Sequence, residues 1–159
     1  MHVHESSPCP DRSRPIHLPA FEVRNKSSII FLTVCAKSRQ HVLDNPRIRQ
    51  HLMDAWAKAT HWSIGRYVLM PDHLHLFCAP AIHPPESLTH WVAYWKRLVA
   101  QATGQRLWQK NFWDTQLRGH ESYALKWEYV RNNPVRAGLV TRTEDWPYQG
   151  ELNLLRWHE

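Results

Sequence analysis

Two apolar runs, Trp62 to Met70 and His73 to Cys78, stand back to back with only Pro71-Asp72 between them. That juxtaposition constrains the fold more than any other feature of the chain. Proline presets a turn dihedral and aspartate bonds its own backbone, so the pair reads as the break of an antiparallel hairpin. The rest of the chain supplies elements to surround it. Ile29 to Cys35 is short and β-branched, the pattern of a buried strand. Asn45-Pro46 combines an N-cap with a first-turn proline, and Ile48, Leu52, Ala55, Trp56 and Ala59 recur after it at helical spacing. Leu88, Trp91, Val92, Trp95, Leu98, Val99 and Ala102 mark one face of a second helix that Gly104 can end, with Tyr94, Lys96 and Arg97 nearer its outer side.

Trp108 to Leu117 reads as a fourth strand. Glu121 to Asn133 reads as a helix, stopped by Pro134 because the residue before proline is pushed out of the α region. Gly138 and Trp146-Pro147 mark turns. The order strand, helix, strand, strand, helix, strand predicts an α+β fold: a ferredoxin-like antiparallel sheet with helices packed on one face and the other face free for a ligand.

A chain of 159 residues with 43 % apolar content and nine Trp can bury the core of one domain. Residues 1 to about 25 carry Pro8, Pro10, Pro15 and Pro19 among Ser, His and Arg, which predicts a flexible basic tail before a single domain over 26–159. The net charge of +6 favours a polyanionic partner such as nucleic acid, although a merely basic protein has the same sign. Cys9, Cys35 and Cys78 are odd in number and contain no Cys-x-x-Cys pair. They suggest neither a disulfide framework nor a cysteine zinc cluster, and a reducing cytoplasm fits them best. No stretch approaches the roughly 20 apolar residues of a membrane span.

His73-Leu74-His75 lies on the expected third strand, where alternation sends both imidazoles to one face. Neutral imidazole is a common ligand of divalent metals. With twelve histidines in the chain, a structural pair hydrogen-bonded under a loop stays open beside a metal site. On the last helix, Tyr123, Trp127 and Val130 form the apolar stripe and Tyr129 falls off it. Tyr129 is either an exposed amphipathic aromatic or a residue serving another purpose. Asn133, four residues on, shares its face and can offer an amide oxygen to a cation near the negative helix pole, or simply cap the helix.

Four blocks of sequence together resemble the REP-associated tyrosine transposases, a bacterial branch of the HUH single-tyrosine nucleases. They are Tyr67-Val-Leu-Met-Pro-Asp-His73-Leu-His75-Leu, Trp108-Gln-x3-Trp113, Tyr129-Val-x2-Asn133-Pro-Val-x-Ala-Gly-Leu-Val140 and Asp145-Trp-Pro-Tyr148. The resemblance spans roughly residues 28 to 148 and implies the HUH nuclease fold. It further implies a divalent metal, Mg²⁺ or Mn²⁺, held by His73, His75 and Asn133. Tyr129 would attack a phosphate of single-stranded DNA and form a 5′-phosphotyrosine bond, leaving a 3′-hydroxyl able to rejoin a strand.

The implied substrate is single-stranded DNA folded as hairpins of the REP kind. Lys96, Arg97, Lys110, Arg118, Lys126, Arg131 and Arg136 are the expected phosphate contacts, and some of the Trp are expected to stack unpaired bases. Asp72 is open between orienting an imidazole and acting as a base, with its neighbour position in a strand pointing it to the opposite face. Monomer and dimer are both compatible with the resemblance. The competing expectation is a non-catalytic module of the same fold that binds hairpin DNA or RNA; a metal-bound-water hydrolase with Tyr129 as bystander is a third.

Overall fold

The computed structural model describes residues 28–156; the tail expected over residues 1 to 25 lies outside them. Five strands form one antiparallel sheet in the order β4-β1-β3-β2-β5. They are β1 (Ile29–Cys35), β2 (Trp62–Leu69), β3 (His73–Pro80), β4 (Trp113–Leu117) and β5 (Gln149–Glu151), joined by α1 (Pro46–Lys58), α2 (Leu88–Thr103), α3 (His120–Arg131) and α4 (Asn133–Arg136). The hairpin forms as expected, with Met70 donating to the His73 carbonyl across the Pro71-Asp72 turn. Asn45 caps α1 by accepting from the Ile48 N–H, and Gly104 ends α2 in the left-handed region at φ 69°, where a Cβ would be strained.

Alternation along β1 and β3 divides the core in two. Ile30, Leu32, Val34, Leu74, Leu76 and Cys78 face α1 and α2, whose tryptophans 56, 91 and 95 fill the larger core. Ile29, Phe31, Val68 and Phe77 face the other way, into a smaller core closed by Tyr123 and Val130 of α3 with Trp146 and Leu155. The two expected helices thus cover one face, and α3 additionally lies over part of the face predicted to be free. The reason is local. Tyr123 and Val130 need an apolar floor, and Phe77, whose ring centroid lies 4.7 Å from that of Tyr123, supplies it.

Two local expectations are corrected. The fourth strand begins at Trp113 and not at Trp108. Before it, Trp108 makes one isolated bridge to Ala36, and the carbonyls of Gln109 and Lys110 turn away to accept from the Lys96 ammonium. The last helix ends at Arg131, and Pro134 sits in the first turn of the separate helix α4. Proline has no N–H to continue α3, while its fixed φ suits the start of a helix. Cys78 is a buried free thiol.

The chain after α4 closes the far edge of the sheet. Trp146 donates its indole N–H to the Leu69 carbonyl, β5 pairs with β2, and Leu155 tucks against Gly65 at a register shift in β2. A Cβ on Gly65 would meet Leu155 at 2.7 Å and the Tyr123 hydroxyl at 2.8 Å. Gly65→Ala is therefore expected to lever this segment off the sheet and cost about 1–3 kcal/mol, read as a lower urea midpoint. An unchanged midpoint would show that Leu155 shifts at no cost.

Candidate active site

His73 and His75 leave β3 on the face away from α1 and α2, as the two-residue period requires, with ring centroids 4.7 Å apart. Each ring is held by its Nδ1. Thr33, directly across the β1–β3 pair, places its hydroxyl 2.9 Å from Nδ1 of His75. Phe31 stacks on that ring at 5.1 Å. Asp72 places Oδ1 2.7 Å from Nδ1 of His73. Asp72 precedes the strand, so it lies in the turn, escapes the strand's alternation and reaches the imidazole next to it. The expectation that it points to the opposite face is corrected on that ground. Its second oxygen takes the Arg39 guanidinium, 2.9 Å from Nε and 2.7 Å from Nη2.

These contacts leave each Nε2 as the nitrogen available to a ligand. Nε2 of His73 is buried with no hydrogen-bond partner among the protein atoms. A buried polar nitrogen without a partner is costly unless something occupies it. Burial pushes the proton affinity of His75 well below the usual imidazole range, helped by the charges of His73, Lys126 and Arg136, so His75 is held neutral, the form that ligates metals. Burial opposes ionisation of Asp72, but the hydrogen bond and charge of His73 and the Arg39 guanidinium outweigh it and bring the carboxyl down to about 2.

Over this face α3 and α4 bring Lys126, Tyr129, Asn133 and Arg136. Tyr129 is 61 % exposed, off the buried stripe of Tyr123 and Val130, with the Arg136 guanidinium 4.0 Å above its ring and the Lys126 ammonium 6.0 Å away. Lys126 also lies 4.8 Å from the Phe31 ring, which stacks on His75. Asn133 is 9 % exposed, and its amide oxygen accepts from Arg136, which also donates to the Tyr129 carbonyl. The cap at the end of α3 is Asn132, whose side-chain amide donates to the Glu128 carbonyl. Asn133 opens α4 instead of closing α3, so the negative-pole argument for it lapses, and so does its reading as a cap.

Among the described residues no cluster of three or more His, Cys, Asp or Glu side chains could hold a metal. His73 and His75 offer two imidazoles, and Asn133 an amide oxygen that accepts from Arg136; donors of these types suit Mn²⁺ or Mg²⁺. The residues present fit a divalent ion on the evidence of the unpartnered His73 nitrogen.

The expected phosphate contacts scatter. Lys126 and Arg136 gather at the histidines. Arg131 is engaged with Glu128 and Thr143 on the other side of α3. Arg97 stacks on Tyr94 of α2, in the layer behind the sheet, and Lys110 and Arg118 are exposed on either side of β4. Lys96 is corrected outright. Only 9 % exposed, it donates to the Gln109 carbonyl at 2.6 Å, and burial brings its ammonium down to about 8. Thr33, Phe31 and Arg39 were missed, because their roles depend on strand register and on a loop that carries no periodic signal.

No protein-family model matches the chain. A REP-associated tyrosine transposase of Escherichia coli is 26 % identical over 130 residues, 79 % of this chain and 70 % of that protein. A Haemophilus influenzae protein ascribed to the same family is 28 % identical over 98 residues, 50 % of this chain and 53 % of its own length. The chain thus spans about half of that second relative. A solved REP-associated tyrosine transposase bound to a REP hairpin superposes with a TM-score of 0.69 at 22 % identity, covering 88 % of this chain and 82 % of the other. At that identity it speaks for the fold, and the fold agrees with the ferredoxin-like expectation. Among the described residues no helix is long and apolar enough to cross a membrane. In sequence over most of its length and in fold, the chain is similar to the REP-associated tyrosine transposases.

Proposed function

We propose that this chain nicks and rejoins single-stranded DNA at hairpin sequences through a covalent bond to Tyr129, with the machinery carried by a domain over 26–159 acting in the cytoplasm. The observation that carries the reading is the imidazole pair: both rings tethered through Nδ1, with His73 Nε2 buried and unpartnered, below a helix that presents an exposed tyrosine between two cations. His73, His75 and Asn133 would hold Mg²⁺ or Mn²⁺. Such an ion, when bound, supplies Lewis-acid stabilisation to a non-bridging phosphate oxygen.

The chain's own groups do the rest. Lys126 and Arg136 draw the phosphate to the exposed edge of Tyr129 and offset the negative charge that gathers there in the transition state. The tyrosine oxygen gives up its proton and attacks phosphorus, the bond to the neighbouring 3′ oxygen breaks, and that oxygen leaves as a 3′-hydroxyl by taking up one proton, so that none is gained or lost overall. One phosphodiester is exchanged for another, so a 3′-hydroxyl can reverse the step and join a new strand. His75, kept neutral by burial, donates no proton in this scheme.

The test is incubation of the protein with end-labelled hairpin DNA and Mn²⁺ or Mg²⁺, followed by a denaturing gel. A metal-dependent protein–DNA band that survives denaturant is expected. Cleavage without that band would favour hydrolysis by water, and binding with neither would reduce the chain to a hairpin-binding module. A salt titration of hairpin binding checks the cation assignments. Lys126→Met is expected to lower the salt slope by about one. Lys96→Met is expected to leave it unchanged, because that ammonium is spent on backbone carbonyls. An equal fall for both would return Lys96 to the interface.

A further inference from the structure

The loop after β1 is built in an unusual way. Ser38 and Arg39 are consecutive non-glycine residues in the left-handed region, at φ 55° and 53°, a conformation that L side chains avoid and that persists where the surroundings enforce it. The enforcement is visible. Ala36 donates to the Asp72 carbonyl, Val42 and Leu43 both donate to the Pro71 carbonyl, and Lys37 donates to the Leu107 carbonyl. The loop is thereby pinned against the β2–β3 turn, and the outcome of its strained backbone is that the Arg39 guanidinium lands on Oδ2 of Asp72. The other oxygen of the same carboxylate receives His73.

We infer that Arg39 and Asp72 form a positioning relay that fixes the tautomer and ring plane of His73, and that the left-handed loop exists to hold it. The inference rests on the function proposed above and assigns two residues that function does not need by itself. An ionised carboxylate can only accept hydrogen bonds. Asp72 therefore requires the proton of a neutral His73 to sit on Nδ1, which leaves the lone pair on the buried, unpartnered Nε2. Arg39, occupying Oδ2, keeps the carboxylate from swinging away and from taking up a different donor. Outer-sphere partners of this kind orient ligating imidazoles and raise their basicity, and their loss commonly weakens metal binding 10–100-fold.

The effect of Asp72→Asn follows from the amide. It can turn its NH₂ toward His73 and donate to Nδ1, which would move the imidazole proton to Nε2 and block the ligating atom. The experiment is nitrogen NMR of histidine-labelled, metal-free protein, with His73 assigned by its loss in His73→Gln, together with calorimetric Mn²⁺ titration of the same samples. Wild type is expected to show the Nδ1–H tautomer at His73. Asp72→Asn should shift it toward Nε2–H and weaken Mn²⁺ binding about 10–100-fold, and Asp72→Glu should recover part of both. Arg39→Gln should leave a mixed tautomer and a smaller affinity loss; if Asp72→Asn does not fold, this variant decides. A wild-type Nε2–H tautomer, or spectra unmoved by both Asp72→Asn and Arg39→Gln, would overturn the relay. The tautomer needs neither metal nor DNA. If His73→Gln binds Mn²⁺ as wild type does and no DNA adduct forms, the proposed function fails while the spectra still judge the relay.

Discussion

Tyr129→Phe is expected to abolish the covalent protein–DNA product, lowering its rate of formation by at least about a thousand-fold, while hairpin affinity stays within about twofold. The size follows from the chemistry. Removing one oxygen deletes the nucleophile. The small effect on binding follows from the geometry: the ring is 61 % exposed, and the Arg136 guanidinium at 4.0 Å stacks on a phenyl ring much as on a phenol. Stability should hardly change for the same reason. A denaturing gel and an anisotropy titration on one preparation measure both quantities. Residual cleavage at near wild-type rate without an adduct would replace covalent transfer by hydrolysis and make Tyr129 a bystander.

The second large effect is expected at the histidines. His73→Ala should weaken Mn²⁺ binding by about a hundred-fold or more and remove metal-dependent adduct formation, since it takes away one of the two paired imidazoles. His75→Ala should do the same, and it should also destabilise the fold by about 1–3 kcal/mol. Thr33, 2 % exposed, would lose the partner of its hydroxyl, and Phe31 would lose the ring stacked on it. The two losses separate cleanly if Mn²⁺ is titrated well below the melting midpoint of each variant. Unaltered Mn²⁺ affinity in both variants would make the pair a structural one, hydrogen-bonded inside the sheet, and would detach the catalytic reading from it.

Much of this was legible in one dimension. Asn45 followed by Pro46 starts α1, Gly104 stops α2, Pro71-Asp72 turns the hairpin, and the two-residue period puts His73 and His75 on one face. The departure of Tyr129 from the stripe of Tyr123 and Val130 was likewise readable, and the exposed ring agrees with it. These features depend on dihedral preferences and side-chain direction within a few residues, which is the range over which a sequence acts on its own backbone.

What lay beyond that range was decided by the tertiary structure. Thr33 meets His75 across a separation of 42 residues, and Arg39 meets Asp72 across 33, because strand register and a pinned loop bring them together. Lys96 has the composition of a phosphate contact, yet the turn before β4 needed a donor for two carbonyls and took its ammonium. Asn132 and Asn133 are adjacent and identical in type. Pro134 splits the helix beside them, so one caps α3 and the other opens α4 next to Arg136. A polar side chain goes to whichever buried group lacks a partner, and where that group lies is known only once the distant segments have packed.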